Sequence, residues 1–185
     1  MPFCVSAKIS QPPHYMSARD IRFLQPADAD ALWALRLEAL GCEDAAFGSS
    51  AAEHRSLSID EFRGRISADP ANSFVVGAFK NGRLVGMAGF AREVRLKERH
   101  KGRIWGVYLA AGCRGSGIGR QMLNALIERA RHIDGLEQIM LRVVVQQTAA
   151  VALYRSLGFT SFGCEPRALK IGTQYFDEDY MMLRL

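Results

Sequence analysis

Two apolar runs flank an Asn-Gly dipeptide near the middle of the chain. SFVVGAFK (73–80) precedes Asn81-Gly82, and RLVGMAGFAREV (83–94) follows it. The tightest hairpin turns need a left-handed backbone at both central positions, which Asn-Gly adopts at little cost. The pattern predicts two antiparallel strands and commits the chain to a sheet. Other segments supply partners for that sheet. IRFLQ (21–25), RIWGVYLA (103–110) and QIMLRVVV (138–145) read as strands, and TSFGCE (160–165) and QYFDEDYMMLRL (174–185) as two closing strands.

Helical signals fall between the strands. Pro26 opens a stretch in which Leu32, Leu35, Ala39 and Leu40 recur at helical spacing, and Pro suits a first helical turn. The polar, small-residue stretch 41–57 reads as loop. Ser58-Ile59-Asp60-Glu61 is a capping box that opens a second helix ending near Asp69-Pro70. A third helix runs to about Arg131. Thr148 is placed to cap a fourth, which Gly158 stops. The order is β-α-α-β-β-β-α-β-α-β-β, with no internal repeat and no linker rich enough in Pro, Gly or Ser to divide it. A single mixed α/β domain over residues 20–185 is expected.

Bulk properties exclude several classes. A chain of 185 residues suits one domain with a sizeable core. No apolar run reaches membrane-span length, so no membrane partner is expected. Four scattered cysteines form no CxxC pair, which argues against a metal site or a disulfide framework and fits a reduced, cytoplasmic setting. The net charge of +5 suits an anionic ligand, while the lack of a nucleic-acid motif or long basic block argues against nucleic acid. Residues 1–19 read as a flexible extension without a secretory signal, and Met16, just before DIRFL, is a candidate translation start.

The segment GCRGSGIGRQML (112–123) carries the clearest chemistry. Gly112 and Gly117 have Walker A spacing, but Ile118-Gly119 stands where Lys-Ser/Thr belongs. Gly115-Ser116-Gly117 begins a Rossmann fingerprint, but Arg120 occupies its third glycine position. The pattern R/Q-x-x-G-x-G/A is filled at every position by Arg114, Gly115, Ser116, Gly117, Ile118 and Gly119. Unsatisfied N–H groups at a helix start carry partial positive charge, and side-chain-free positions let a pyrophosphate reach them.

Together with QQTAAVALYRSLGF (146–159), this segment resembles the GCN5-related N-acetyltransferase (GNAT) superfamily, over about residues 20–185. Ala150, Leu153, Tyr154, Gly158 and Phe159 match the family's second pattern. Gln147 stands in place of the usual Asn, Leu109 in place of a common valine and Ala111 in place of a common proline. The resemblance implies a mixed, mostly antiparallel six- or seven-stranded sheet flanked by four helices, with central strands that splay around the pantetheine arm. It implies acetyl-CoA as co-substrate, no metal, and backbone pairing of Val107 and Leu109 with pantetheine. It places the pyrophosphate over residues 115–120, with cationic help from Arg114 and Arg120, and gives Gln147 a hydrogen bond to the cofactor. Tyr154 is the implied general acid for the departing thiolate.

The implied activity is acetyl transfer to a primary amine of a small molecule, peptide or protein by direct attack on the thioester; a non-catalytic acyl-CoA-binding module is the alternative. A homodimer is left open. No carboxylate lies in GRIWGVYLA (102–110), where many relatives place their base, so Glu38, Glu93 and His100 are the candidates on the acceptor side, beside a base-free route. Arg95, Lys97, Arg99, Lys101 and Arg103 alternate, which suits either attraction of an anion or a solvated hairpin. Strict alternation also puts Trp105 and Tyr108 on opposite faces of their strand.

Overall fold

The computed structural model describes residues 21–185 except Ala68 and Pro70. The expected extension 1–19 and the candidate start at Met16 lie outside the described residues. Seven strands form one sheet in the order β1-β2-β3-β4-β5-β7-β6. They are β1 (Ile21–Phe23), β2 (Ser73–Lys80), β3 (Arg83–Arg92), β4 (Lys101–Leu109), β5 (Gln138–Val144), β6 (Thr160–Ile171) and β7 (Gln174–Arg184). Neighbours are antiparallel except β4 and β5, which are parallel. The Asn-Gly hairpin forms as read, with Asn81 and Gly82 both at positive φ. No helix among the described residues is long and apolar enough to cross a membrane.

Five α-helices accompany the sheet among the described residues: α1 (Ala29–Cys42), α2 (Ala51–Ser56), α3 (Ile59–Ser67), α4 (Ile118–Arg131) and α5 (Thr148–Ser156). The expected count of four omits α2, which interrupts the stretch read as loop. Ser50 and Glu53 form its capping box, the Ser50 hydroxyl accepting from the Glu53 N–H at 3.1 Å. Only His54 of α2 is buried, so the helix has no apolar stripe to announce it. His54 sits between the rings of Trp33, 5.1 Å away, and Phe62, 5.3 Å away. The expected cap of α5 also differs: Gln147 is the cap residue, without a side-chain bond, and Thr148 is already helical.

The sheet divides two cores. Behind it, α4 buries Ile118, Met122, Leu123, Leu126, Ile127 and Ala130, at three- and four-residue spacing, against β2 and β3. On the other face α1 and α3 pack Leu32, Leu35, Ala39, Phe62 and Ile66 over Val75, Leu84, Met87 and Tyr108. Phe90 is fully buried in the α4-side core and stacks on Phe74 at 4.9 Å.

One irregularity in β4 sets the geometry of everything beside it. Met87 pairs with Tyr108 and Gly89 with Trp105, so one residue of β3 opposes two of β4. The extra residue belongs to a bulge at Gly106, whose φ is +63°. The bulge reverses the alternation beyond it. Ile104, Val107 and Leu109 pack on the α4-side core, and Trp105 and Tyr108 both pack on the α1 side. Trp105 and Tyr108 therefore share a face, contrary to the expectation from strict alternation.

Gly106 is held in a backbone region that costs an L-residue about 1–2 kcal/mol. Gly106→Ala is expected to lose at least about that much stability in urea unfolding, since its Cβ would also stand 2.9 Å from Arg36 Nη1. Gly112→Ala, at a glycine with no positive φ and no atom within 4 Å of an added Cβ, should stay within about 0.5 kcal/mol of wild type. Equal losses at the two positions would remove the strain from the account.

Candidate functional site

β4 and β5 begin as a pair and then part. Lys101 pairs with Gln138, Gly102 with Ile139 and Arg103 with Met140, and no pairing follows, although β4 continues to Leu109 and β5 to Val144. Between the diverging strands lies a cavity of about 440 Å³. Its β4 wall includes Trp105 through Leu109, and its β5 wall Arg142, Val143 and Val144. The glycine loop and α5 close one side, and Glu43 and Phe47 the other.

The glycine loop is shaped by its backbone. Gly115 and Gly117 have φ of +73° and +82°, and a Cβ at either would meet nothing within 4 Å. Gly117 caps α4 with no side-chain hydrogen bond, so the first N–H groups of that helix keep their hydrogen-bonding capacity. Gly119 and Arg120 also line the cavity. Ser116 and Ile118 do not: the Ser116 hydroxyl donates to the Cys113 carbonyl at 2.6 Å, and Ile118 is core. An open, side-chain-free concavity of N–H groups at a helix start fits a phosphate chain.

Both arginines of the motif are engaged with the protein. Arg114 donates from Nε to the Leu109 carbonyl at 3.0 Å and pairs with Glu43 at 2.9 Å. Arg120 donates to the Ser156 hydroxyl at 2.8 Å and to its carbonyl at 3.4 Å. The Leu109 carbonyl keeps its second lone pair for another donor. Val107, Leu109 and Gln147 line the cavity, Gln147 at the start of α5.

Tyr154 projects from α5 into the cavity wall and is 6% exposed. Its ring meets Phe159 edge-on at 6.0 Å. Burial pushes its phenol well above the ordinary tyrosine range, so the group keeps its proton through neutral and alkaline pH. Tyr108 stands on the α1 side of the same cavity. Its hydroxyl donates to Glu38 Oε1 at 3.1 Å. Burial, and then the Glu38 carboxylate, push its pKa up to about 12.

The three acceptor-side candidates are separated. Glu38 touches the cavity through Tyr108, and its other oxygen lies 3.4 Å from Arg83. Glu93 and His100 sit at the closed end, where β4 and β5 are still paired. Glu93 is 3.8 Å from Arg103, and the His100 carbonyl accepts from the N–H groups of Glu137 and Gln138. Neither residue lines the cavity. The alternating cations beside them are split by a helical turn at 96–98, and Lys101 pairs with Glu98 at 3.6 Å.

Glu43, Phe47, Arg36 and Glu178 escaped the sequence reading. Glu43 and Phe47 flank a short helical turn at 44–46, within the stretch read as loop. Arg36 did leave a signal: it lies four residues from both Leu32 and Leu40, on the buried stripe of α1. Glu178 lies opposite Val144 in an otherwise ordinary alternating strand; it is buried and 3.4 Å from Arg142.

Glu38→Gln removes the carboxylate that helps hold the Tyr108 proton. The Tyr108 titration is expected to move down part of the way from about 12 toward the ordinary value, because burial remains. Ultraviolet titration of tyrosinate, with Tyr108→Phe as the subtraction control, measures it. An unchanged midpoint would leave burial as the whole cause.

The chain has recognisable relatives. The L-methionine sulfoximine/L-methionine sulfone acetyltransferase of Pseudomonas aeruginosa is 37% identical over 79 residues, 43% of this chain and 45% of that protein. The N-alpha-acetyltransferase RimI of Mycobacterium tuberculosis is 36% identical over 104 residues, 56% of this chain and 62% of that protein. The chain spans about half the length of these curated relatives. In fold it is similar to YncA of Salmonella typhimurium, solved with its cofactor acetyl-CoA. The TM-score is 0.78 at 26% identity, over 89% of this chain and 92% of that one. The model of the acetyltransferase (GNAT) family matches residues 35–159, from α1 through the whole cavity to the end of the Tyr154 motif. With well over half of its length inside that match, the chain belongs to the GNAT acetyltransferase family.

Proposed function

We propose that this chain is an acetyl-CoA-dependent N-acetyltransferase that acetylates a primary amine by direct attack on the thioester. The observation that carries this is the cavity between β4 and β5, with an uncapped helix start on one side and a buried, protonated tyrosine in its wall. The names of the two curated relatives place the acetyl group on methionine sulfoximine or methionine sulfone in one and on an alpha nitrogen in the other. An amine acceptor suits both.

Bound acetyl-CoA supplies an electrophilic thioester carbon and a thiolate leaving group. The N–H groups at the start of α4 take the phosphate charge. The free edges of β4 at Val107 and Leu109, and the Gln147 amide, hold the extended arm. Tyr154 delivers its proton toward the departing sulfur, or stabilises the sulfur by hydrogen bonding. Its raised pKa keeps the acid form present, and that form is lost only as pH rises through the raised value.

The amine must also lose a proton. An ordinary alkylammonium with pKa near 10.4 is about 0.1% neutral at pH 7.4, a handicap of roughly 4 kcal/mol. Tyr108 and Glu38 form a path for that proton. The phenol oxygen receives it from the amine as the phenol hydrogen passes to Glu38, 3.1 Å away. The Glu38 side chain is 33% exposed and can return the proton to water. Glu93 and His100 stand too far along β4 to share this task.

Gly119→Val tests the phosphate cradle most cleanly. Gly117 would be strained by any side chain at φ +82°, whereas Gly119 has no positive φ, and an added Cβ meets Leu153 only at 3.4 Å. The fold should persist while acetyl-CoA affinity, measured by calorimetry, is lost. Unchanged affinity would take the phosphates elsewhere.

Tyr154→Phe should keep the fold and the acetyl-CoA affinity and slow turnover by about 10²–10⁴-fold, seen in kcat more than in KM. Coenzyme A release across a panel of amines, amino acids and peptides is the assay. A rate within about threefold of wild type, where chemistry limits, would assign Tyr154 to packing. Tight acetyl-CoA binding with no release on any acceptor would replace the enzyme with an acyl-CoA-binding module.

A further inference from the structure

Arg36 lies on the face of α1 turned toward the sheet, between Leu32 and Leu40, and is only part-buried as a whole. Its Nη1 is shielded from solvent and has no hydrogen-bond partner among the described residues. That atom fills the space beside the bulge, 2.9 Å from where a Cβ of Gly106 would stand. The guanidinium lies over the Phe47 ring at 4.9 Å. Gly106 and Phe47 both line the cavity, and Trp105 and Tyr108 stand on this same face of β4. The charge is therefore held directly behind the Gly106 and Phe47 part of the cavity wall, on the α1 side of β4, without itself lining the cavity.

No carboxylate among the described residues is paired with it. Glu43 pairs with Arg114, and Glu38 accepts from Tyr108 and faces Arg83. The arginines that do line the cavity have acceptors: Arg120 has Ser156, and Arg142 lies 3.4 Å from Glu178. A half-buried guanidinium without an anion is an expensive arrangement, and a planar fork of donors matches a carboxylate in a bidentate way. Burial here also lowers the pKa of Arg36, the direction expected for a cation that lacks a counter-charge.

We propose that Arg36 binds a carboxylate of the acceptor, so that this site acetylates an anionic amine of the amino-acid type rather than a polyamine or a neutral amine. The amine then lies between Arg36 and the thioester, within the reach of Tyr108. The acetylation part rests on the proposed function; the anion site does not.

The test compares L-amino acids, their amides and their decarboxylated amines on wild type, Arg36→Gln and Arg36→Lys, by coenzyme A release. Wild type should prefer the free acids. Arg36→Gln should lose about 10–100-fold in kcat/KM on the acids, the range of a charge-assisted hydrogen bond, and less than about threefold on amides and amines. Arg36→Lys should recover part of the loss, and acetyl-CoA affinity should be the same in all three proteins. Equal losses on acids and amides would make Arg36 a packing residue and overturn the inference, as would a wild-type preference for amines without a carboxylate. Thermal shift with N-acetyl-L-amino acids plus coenzyme A reads the anion site without turnover. Stabilisation of wild type but not of Arg36→Gln supports the site even if no amine is acetylated, an outcome that would defeat only the enzymatic reading. No stabilisation of either protein, together with no acid preference, sinks it.

Discussion

Backbone pairing between β4 and β5 stops after Arg103 and Met140, and the rest of the site is organised around that interruption. A strand edge inside a protein carries N–H and C=O groups that must find partners. One is answered within the chain, where Arg114 donates to the Leu109 carbonyl. The remainder faces a slot shaped for an extended molecule with amides of its own. The uncapped start of α4 opens on the same slot, so partial positive charge lies at one end of it.

The two motif arginines show how such a slot stays open. Each spends its donors on another element rather than on free space. Arg114 ties the segment after α1 to the end of β4, and Arg120 ties the first turn of α4 to the last turn of α5. The second contact sets a cation at a helix C-terminus, where carbonyl groups lack helical donors. The walls are therefore braced by charge where hydrophobic packing would have filled the cavity.

Much of this was legible in the chain itself. Asn81-Gly82 fixed the first hairpin, the three- and four-residue spacing of α4 fixed its buried face, and the glycine loop declared its need for side-chain-free backbone. What stayed hidden depended on neighbours distant in sequence. The six residues of α2 bury one histidine, so no apolar stripe marks them, and the Ser50–Glu53 capping box is their local signal. Arg36 reads as an ordinary helix residue until Gly106 and Phe47 are brought against it. Where Glu38, Glu93 and His100 lie relative to the cavity depended on where β4 and β5 separate, and of the three Glu38 is bonded to a cavity-lining residue, Tyr108.

Gly106 has a consequence for reading any strand of this kind by eye. A single extra residue acts on a sheet as an inserted base acts on a coding sequence: everything downstream is read in the other phase. Ahead of it Trp105 looks toward α1; beyond it Tyr108 does so as well, and Val107 and Leu109 look the opposite way. Were Gly106 taken up as a regular strand residue with no bulge, Val107 and Leu109 would face α1 and Tyr108 would turn toward the α4-side core. The division between the two sides of β4 is thus written in the backbone at Gly106 as much as in the composition of the strand.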